Sequence, residues 1–258
     1  MSEPKPDTAT QFSRQAEAYA RSATHAGDAD LDIVADFAAA GPEDRCLDIA
    51  CGPGHTAFRI ARTAGLVVAA DIAPGMLATA RRLAAERGLN NVVVQYADAG
   101  ALPFPAASFD LVTCRIAAHH FPDVPAFASE VARVLKPTGR FVIEDSLAPD
   151  DPAQAAFLDE LERRRDATHV LTLSRGQWLK VLTDAGMQVA RETVFSKTHD
   201  FSDWVRRTGL DDGQIGEIES WAMLGPAAVR DALLDVEGDR ILRLRDRKLI
   251  LQAEPQGA

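Results

Sequence analysis

Apolar positions along this chain follow two alternating rhythms. In one, short unbroken runs are bounded by turn residues, as strands buried on both faces require; in the other, apolar residues recur every three or four positions, as on one face of a helix. A helix over 8–21 carries Phe12, Ala16 and Tyr19 on one face, and a second over 29–39 turns Leu31, Val34 and Phe37 inward before Gly41-Pro42 stops it. The run from Cys46 predicts the first strand, which ends in the turn Cys51-Gly52-Pro53-Gly54 and leads into a helix over 56–63. Strands are expected over 66–70, 92–96 and 109–114. The helix over 74–87 has Pro74 in its first turn and a stripe of Met76, Leu77, Ala80 and Leu83, and 101–105 is a connector. Residues 123–135 are amphipathic through Val124, Phe127, Val131 and Val134; Lys136-Pro137-Thr138-Gly139 ends that helix, and 141–143 is the fifth strand. Beyond it, helices are expected over 152–164 and from Ser174, in a capping box with Gln177, to 185. Stretches 189–198 and 242–253 read as the sixth and seventh strands, with two or three helices over 201–235 bearing Trp204 and Trp221.

Strands and helices alternating through short connections demand a parallel sheet with helices on both faces. The expected fold class is α/β, a Rossmann-like doubly wound sheet of seven strands with helical insertions covering the active site. A chain of 258 residues with 47% hydrophobic content buries one sizeable core, so a single domain over 1–258 is expected. It divides into cap helices in 1–40, a cofactor-binding core over 41–145, and insertions over 146–185 and 201–235 that cover the substrate or form a homodimer surface. The net charge of -10 without a long Lys/Arg run argues against nucleic acid or a membrane surface as partner. Residues 1–7, polar and proline-containing, are expected to be disordered and lack the apolar core of a signal peptide. With no stretch of membrane-spanning length, the expected location is the cytoplasm. Cys46, Cys51 and Cys114 have no metal-ligand spacing and are expected as small core residues.

The candidate chemistry gathers at the ends of the apolar runs. Asp48 stands at the end of the first, Gly52 and Gly54 allow a sharp turn and a close backbone approach, and Asp71 closes the second run, where an acid accepts from ribose hydroxyls. Substitution of Gly54 is expected to strike a ligand rather than the core. Asp98 follows the third strand. Arg115-Ile116-Ala117-Ala118-His119-His120-Phe121 leaves the fourth and is the polar cluster placed to face a substrate. The adjacent histidines lack a third ligand at metal spacing, so no metal is expected; one should line the pocket while the other packs. Arg165 and His169 are secondary candidates, expected as solvated loop residues.

The motifs LDIACGPG, VVAADIAPGML, YADAGALPFPAASFDLVTC and EVARVLKPTGRFVIED, in that order, resemble those of class I S-adenosylmethionine-dependent methyltransferases, nearest to the small-molecule enzymes related to ubiquinone and menaquinone C-methyltransferases. The resemblance covers residues 10–145 well and the rest thinly. It implies S-adenosylmethionine as cofactor, with S-adenosylhomocysteine as product, a small-molecule acceptor with a carbon, oxygen or nitrogen nucleophile, and an antiparallel last strand beside the fifth. The cofactor residues it implies are Tyr19, Asp48, Ala50, Gly52, Gly54, Asp71, Ile72, Met76, Asp98, Ala99 and Arg115; Arg115, His119 and His120 are the catalytic candidates. Asp98 would take the adenine amino group and the Ala99 N–H a ring nitrogen. Arg115 would orient an acceptor oxygen or the cofactor carboxylate, and a histidine would serve as base where the acceptor carries a proton. Ala50 departs from the family's first loop glycine and demands a negative φ or some strain. The same glycine loop admits an NAD-dependent oxidoreductase, but neither Tyr19 nor Tyr96 has a lysine four residues on. A non-catalytic binding protein on this fold is the third reading.

Overall fold

The computed structural model describes residues 7–21 and 29–257. The expectation for residues 1–6 lies outside the described residues. Asp7, grouped with them, is an ordered N-cap that accepts the Thr10 N–H at 2.8 Å. It opens α1 (Thr8–Arg21); α2 (Ala29–Ala38) follows. The core then alternates β1 (Arg45–Ile49), α3 (His55–Ile60), β2 (Leu66–Asp71), α4 (Pro74–Glu86), β3 (Val92–Tyr96) and β4 (Phe109–Arg115). A 3-10 turn at Ala118–His120 leads to α5 (Val124–Val134), β5 (Leu135–Ser146), α6 (Pro152–Arg165) and α7 (Arg175–Asp184). Last come β6 (Met187–Asp200), α8 (Phe201–Arg206), α9 (Asp212–Met223), α10 (Ala227–Leu233), β7 (Leu234–Glu237) and β8 (Arg240–Pro255).

The sheet order is β3-β2-β1-β4-β5-β8-β6. The first five strands are parallel, and β8 lies antiparallel between β5 and β6, as the resemblance implied. An eighth strand, β7, pairs with β8 and was not expected. The strands bury both faces in turn. Val68 and Ala70 point into the core under α5 and α7, while Val67 and Ala69 point into the core under α2 and α3. Residues 136–139, read as a turn ending a helix, instead bulge within one long β5: Phe109 faces Leu135 and Leu111 already faces Arg140.

The β6–β8 ribbon continues past the point where β5 stops pairing, from Ser146↔Lys248 outward to Asp200↔Arg243. Its outer half carries α8 to α10 and β7, which with α6 enclose a third apolar core around Phe157, Leu161, Trp204, Ile218 and Leu244. α1 packs on α4, where Ala16, Phe12 and Tyr19 cover Ala73 and Met76. The contact is close enough that a Cβ on Gly75 would sit 2.5 Å from the Ser13 carbonyl. Among the described residues, no helix is long and apolar enough to cross a membrane.

Candidate functional site

The carboxyl ends of β1, β2, β3 and β4 open into a cavity of about 450 Å³ roofed by the start of α1, a size within the usual range of small-molecule sites. It is lined by all the residues expected to hold the cofactor except Gly54: Tyr19, Asp48, Ala50, Gly52, Asp71, Ile72, Met76, Asp98, Ala99 and Arg115. Gly54 differs because a Cβ there would lie 2.4 Å from the buried Phe58 ring, so its bareness serves the core. At Gly52 the nearest atom to a Cβ is Met76 Sδ at 3.9 Å, and φ is +53°. The strain anticipated at Ala50 is present, with φ at +52°.

Carboxylates shape the loop before any ligand does. Asp71 Oδ2 accepts the Gly52 N–H at 2.9 Å and Oδ1 the Ala73 N–H at 2.8 Å, so one buried side chain ties the glycine turn to the loop after β2. Burial pushes its pKa up despite those bonds. Asp48 accepts the Ala57 N–H at 3.0 Å and the Thr113 hydroxyl at 2.7 Å, and burial raises its carboxyl to about 7. Asp98 is exposed and folds an Asx turn onto the Gly100 N–H. Three acids at successive strand ends, beside a glycine with open space over it, suit a polyhydroxylated, partly cationic ligand such as S-adenosylmethionine.

A second, smaller cavity of about 180 Å³ adjoins the first. Phe12, Tyr19, Ile116 and His120 line both and form the wall between them. Ile116 is β-branched at φ +53°, a true backbone outlier whose N–H reaches the Glu144 carbonyl at 2.7 Å. Arg115 lines the larger cavity, and its buried guanidinium meets Glu144 at 2.7 Å and Asp30 at 3.5 Å. Burial, with Asp30 alongside, pushes Glu144 up to about 8.

The two adjacent histidines are sorted by their partners. His119 Nδ1 meets Asp145 Oδ1 at 2.5 Å, and its backbone N–H binds the other Asp145 oxygen. Burial works to lower the imidazole pKa, but the Asp145 charge and hydrogen bond outweigh it and the net shift is upward. Asp145 itself stays below the ordinary carboxylate range, so Nδ1 carries the proton and Nε2 is the nitrogen left for chemistry. His120 is drawn down to about 3 by burial and the neighbouring His119 charge; its Nδ1 lies 3.2 Å from the Thr168 carbonyl, and its ring packs edge-on against Phe12. His169 is buried and paired with Asp159 at 3.0 Å, and Arg165 lines the smaller cavity; neither is the solvated loop residue expected.

Sequence reading missed Asp145, Asp246 and Lys248. Asp145 comes 26 residues after His119, and only the adjacency of β4 and β5 joins them. Among the described residues no group of three or more His, Cys, Asp or Glu side chains could hold a metal ion, and the three cysteines are free and buried.

The model of the methyltransferase domain matches residues 47–143. An uncharacterized methyltransferase of Bacillus subtilis, YcgJ, is 37% identical over 200 residues, 78% of this chain and 79% of that protein. The crystal structure of B. subtilis YcgJ superposes with a TM-score of 0.83 at 31% identity, covering 88% of this chain and 98% of the other. A demethylmenaquinone methyltransferase of Thermus thermophilus is 44% identical over 115 residues, 44% of this chain and 50% of its own.

Proposed function

This chain belongs to the methyltransferase family, and from that premise we propose that it transfers a methyl group from S-adenosylmethionine to a small-molecule acceptor. The observation that carries this reading is the pairing of two adjoining cavities, one rimmed by Asp48, Gly52, Asp71 and Asp98, the other lined by His119, whose Nδ1 meets Asp145. When bound, the cofactor supplies a methyl group already activated by a sulfonium leaving group. The protein's work is then alignment, exclusion of water and, for a protic acceptor, removal of one proton.

Asp71 would accept the ribose hydroxyls with its remaining lone pairs, while the Gly52 and Ala73 N–H groups that donate to it keep the glycine turn in place. Tyr19 and Phe12, on α1, close the roof and belong to the wall that the two cavities share. His119 is the base: Asp145 holds the Nδ1 proton and steadies the imidazolium that forms when Nε2 takes the acceptor's proton. His120, kept neutral, is a wall and a spacer. The cytoplasmic setting belongs to the same proposal. The oxidoreductase reading has lost its support, since it rested on a glycine loop that the methyltransferase family shares.

The test is calorimetry of S-adenosylmethionine and of NADH, followed by profiling of metabolites labelled from an isotopic methyl donor, with Asp71→Ala as the cofactor-dead control. Binding of NADH alone, or an identical labelling pattern with the control, overturns the proposal.

A further inference from the structure

His119 is held at both ends of its backbone. Its N–H donates to Asp145 on β5 at 3.1 Å, and its carbonyl accepts the Val170 N–H at 2.9 Å and the Leu171 N–H at 3.3 Å. Val170 and Leu171 belong to the irregular segment that joins α6 to α7, and their side chains are 43% and 40% exposed, so side-chain packing does little to fix them. The residues on either side of them are fixed by one carboxylate. Asp159 Oδ1, on α6, lies 3.0 Å from His169 Nε2 and accepts the Thr172 N–H at 3.0 Å. Asp159 therefore brackets the two residues whose N–H groups meet the His119 carbonyl.

The bracket is buried, as Asp159, His169 and Thr172 all are. Burial raises the Asp159 pKa, but the His169 bond and the Thr172 N–H outweigh it and the net shift is downward. The group thus accepts as a carboxylate, and His169 donates from Nε2. His169 Nδ1 is left bare and buried, with no hydrogen-bond partner among the described residues. A side chain present only to fill space would not carry that nitrogen, since a leucine fills the volume without an unmet polar atom. The His169 ring lies 5.7 Å from the His119 ring, with His120 on hand at 4.2 Å. The charges that bear on His119 come from Asp145 on β5, Glu162 on α6 and Lys248 on β8. Asp159 lines neither cavity and reaches His119 through the loop.

We propose that Asp159 is the positioning residue for the His119 base: by anchoring His169 and Thr172 it fixes the loop that holds the His119 carbonyl, and so sets the imidazole against Asp145. A proton-accepting nitrogen has to be placed closely to meet its acceptor, and a loop of exposed side chains does not place it unaided. This deepens the methyl-transfer reading, on which the role of His119 as base rests.

The experiment follows the His119 imidazole itself, by proton–nitrogen NMR titration of the full chain with and without S-adenosylhomocysteine, the signal being assigned with His119→Gln. Asp159→Ala releases both bonds and is expected to lower the His119 pKa by about 0.5 or more, toward the ordinary histidine value. Asp159→Asn keeps an oxygen that accepts both N–H groups and should leave His119 close to the wild type. His169→Leu removes one bond of the two and should shift His119 in the same direction by less; it carries the test where Asp159→Ala does not fold. Affinity for S-adenosylhomocysteine should be unchanged in all three. A His119 titration that stays in place in Asp159→Ala, or in His169→Leu where that variant alone folds, overturns the inference. So does an equal shift in Asp159→Asn, which would make charge and not placement the cause. Failure of the wild type to bind S-adenosylhomocysteine would instead overturn the cofactor reading, while the titration without ligand still decides the positioning role.

Discussion

Gly54→Ala tests the loop at the point where structure and sequence pattern disagree. The position has φ +100°, and an added Cβ would fall 2.4, 2.7 and 2.9 Å from three atoms of the Phe58 ring. That ring cannot simply step aside, because it is buried in the core under α3 with the Arg87 guanidinium 4.9 Å from its centroid. Left-handed backbone costs a non-glycine residue about 1–2 kcal/mol, and overpacking a filled core costs about 1–3 kcal/mol. Alanine returns about 0.4–1 kcal/mol by restricting the unfolded chain. The net is a loss of about 2–4 kcal/mol, or roughly 10 °C in Tm for a chain of this size. Gly52→Ala is the control: its φ is +53° but its nearest neighbour is 3.9 Å away, so only the backbone cost applies, about 1 kcal/mol after the same offset. Urea denaturation of both variants, and of Gly54→Ala combined with Phe58→Leu, separates the two causes. The double variant should show a favourable coupling of about 1–3 kcal/mol. Equal costs at Gly52 and Gly54, or no coupling with Phe58, would refute the steric account and restore the expectation that Gly54 guards a ligand.

Asp71→Ala removes the ribose acceptor and frees the Gly52 and Ala73 N–H groups together, so S-adenosylmethionine should bind about 2–4 kcal/mol more weakly, which calorimetry would read; unchanged affinity contradicts the assignment. Asp48 is protonated in the fold up to about 7 and ionised in the unfolded chain above about 4. The native state therefore binds the extra proton across that window, and stability should fall as pH rises through it. Asp48→Asn should flatten that limb of a pH series of urea midpoints, and an unchanged slope counts against the buried acid as its source. His119→Ala should lower kcat by about 10²- to 10⁴-fold with little change in cofactor affinity. Because Asp145 holds the His119 pKa above its ordinary value, the basic form grows in only above that value, and Asp145→Asn should move the acid limb of the rate profile to lower pH. A limb that stays in place would mean another group acts as base.

Most of the scaffold was legible because its signals are local. The two-residue burial of Val67 to Ala70, the helical stripe of Val124, Phe127, Val131 and Val134, and the Ser174–Gln177 capping box are each written within a few residues and recur in the structure. The boundaries failed where a long-range partner decided them. Residues 136–139 look like a helix stop, yet pairing of both flanks with β4 makes them a bulge, and β7 exists only because β8 runs on beyond the sheet to receive it.

The sequence by itself determined the parallel core, the strand ends at which Asp48, Asp71 and Asp98 stand, and the loop with its two glycines, since strand period and turn chemistry place these without knowledge of neighbours. It could not rank His119 over His120, because their difference lies in Asp145 on the next strand and Thr168 beyond α6. Nor could it show that Gly54 spares Phe58, that Arg115 is bound by Glu144 and Asp30, or that Lys248 reaches the same chamber as His119. Those facts depend on distances between segments far apart in the chain. Only the closing of β5 on β8, with α1 and α6 lining the chamber beside it, brought the charged side chains together and set which of them are buried, and burial is what decides their protonation.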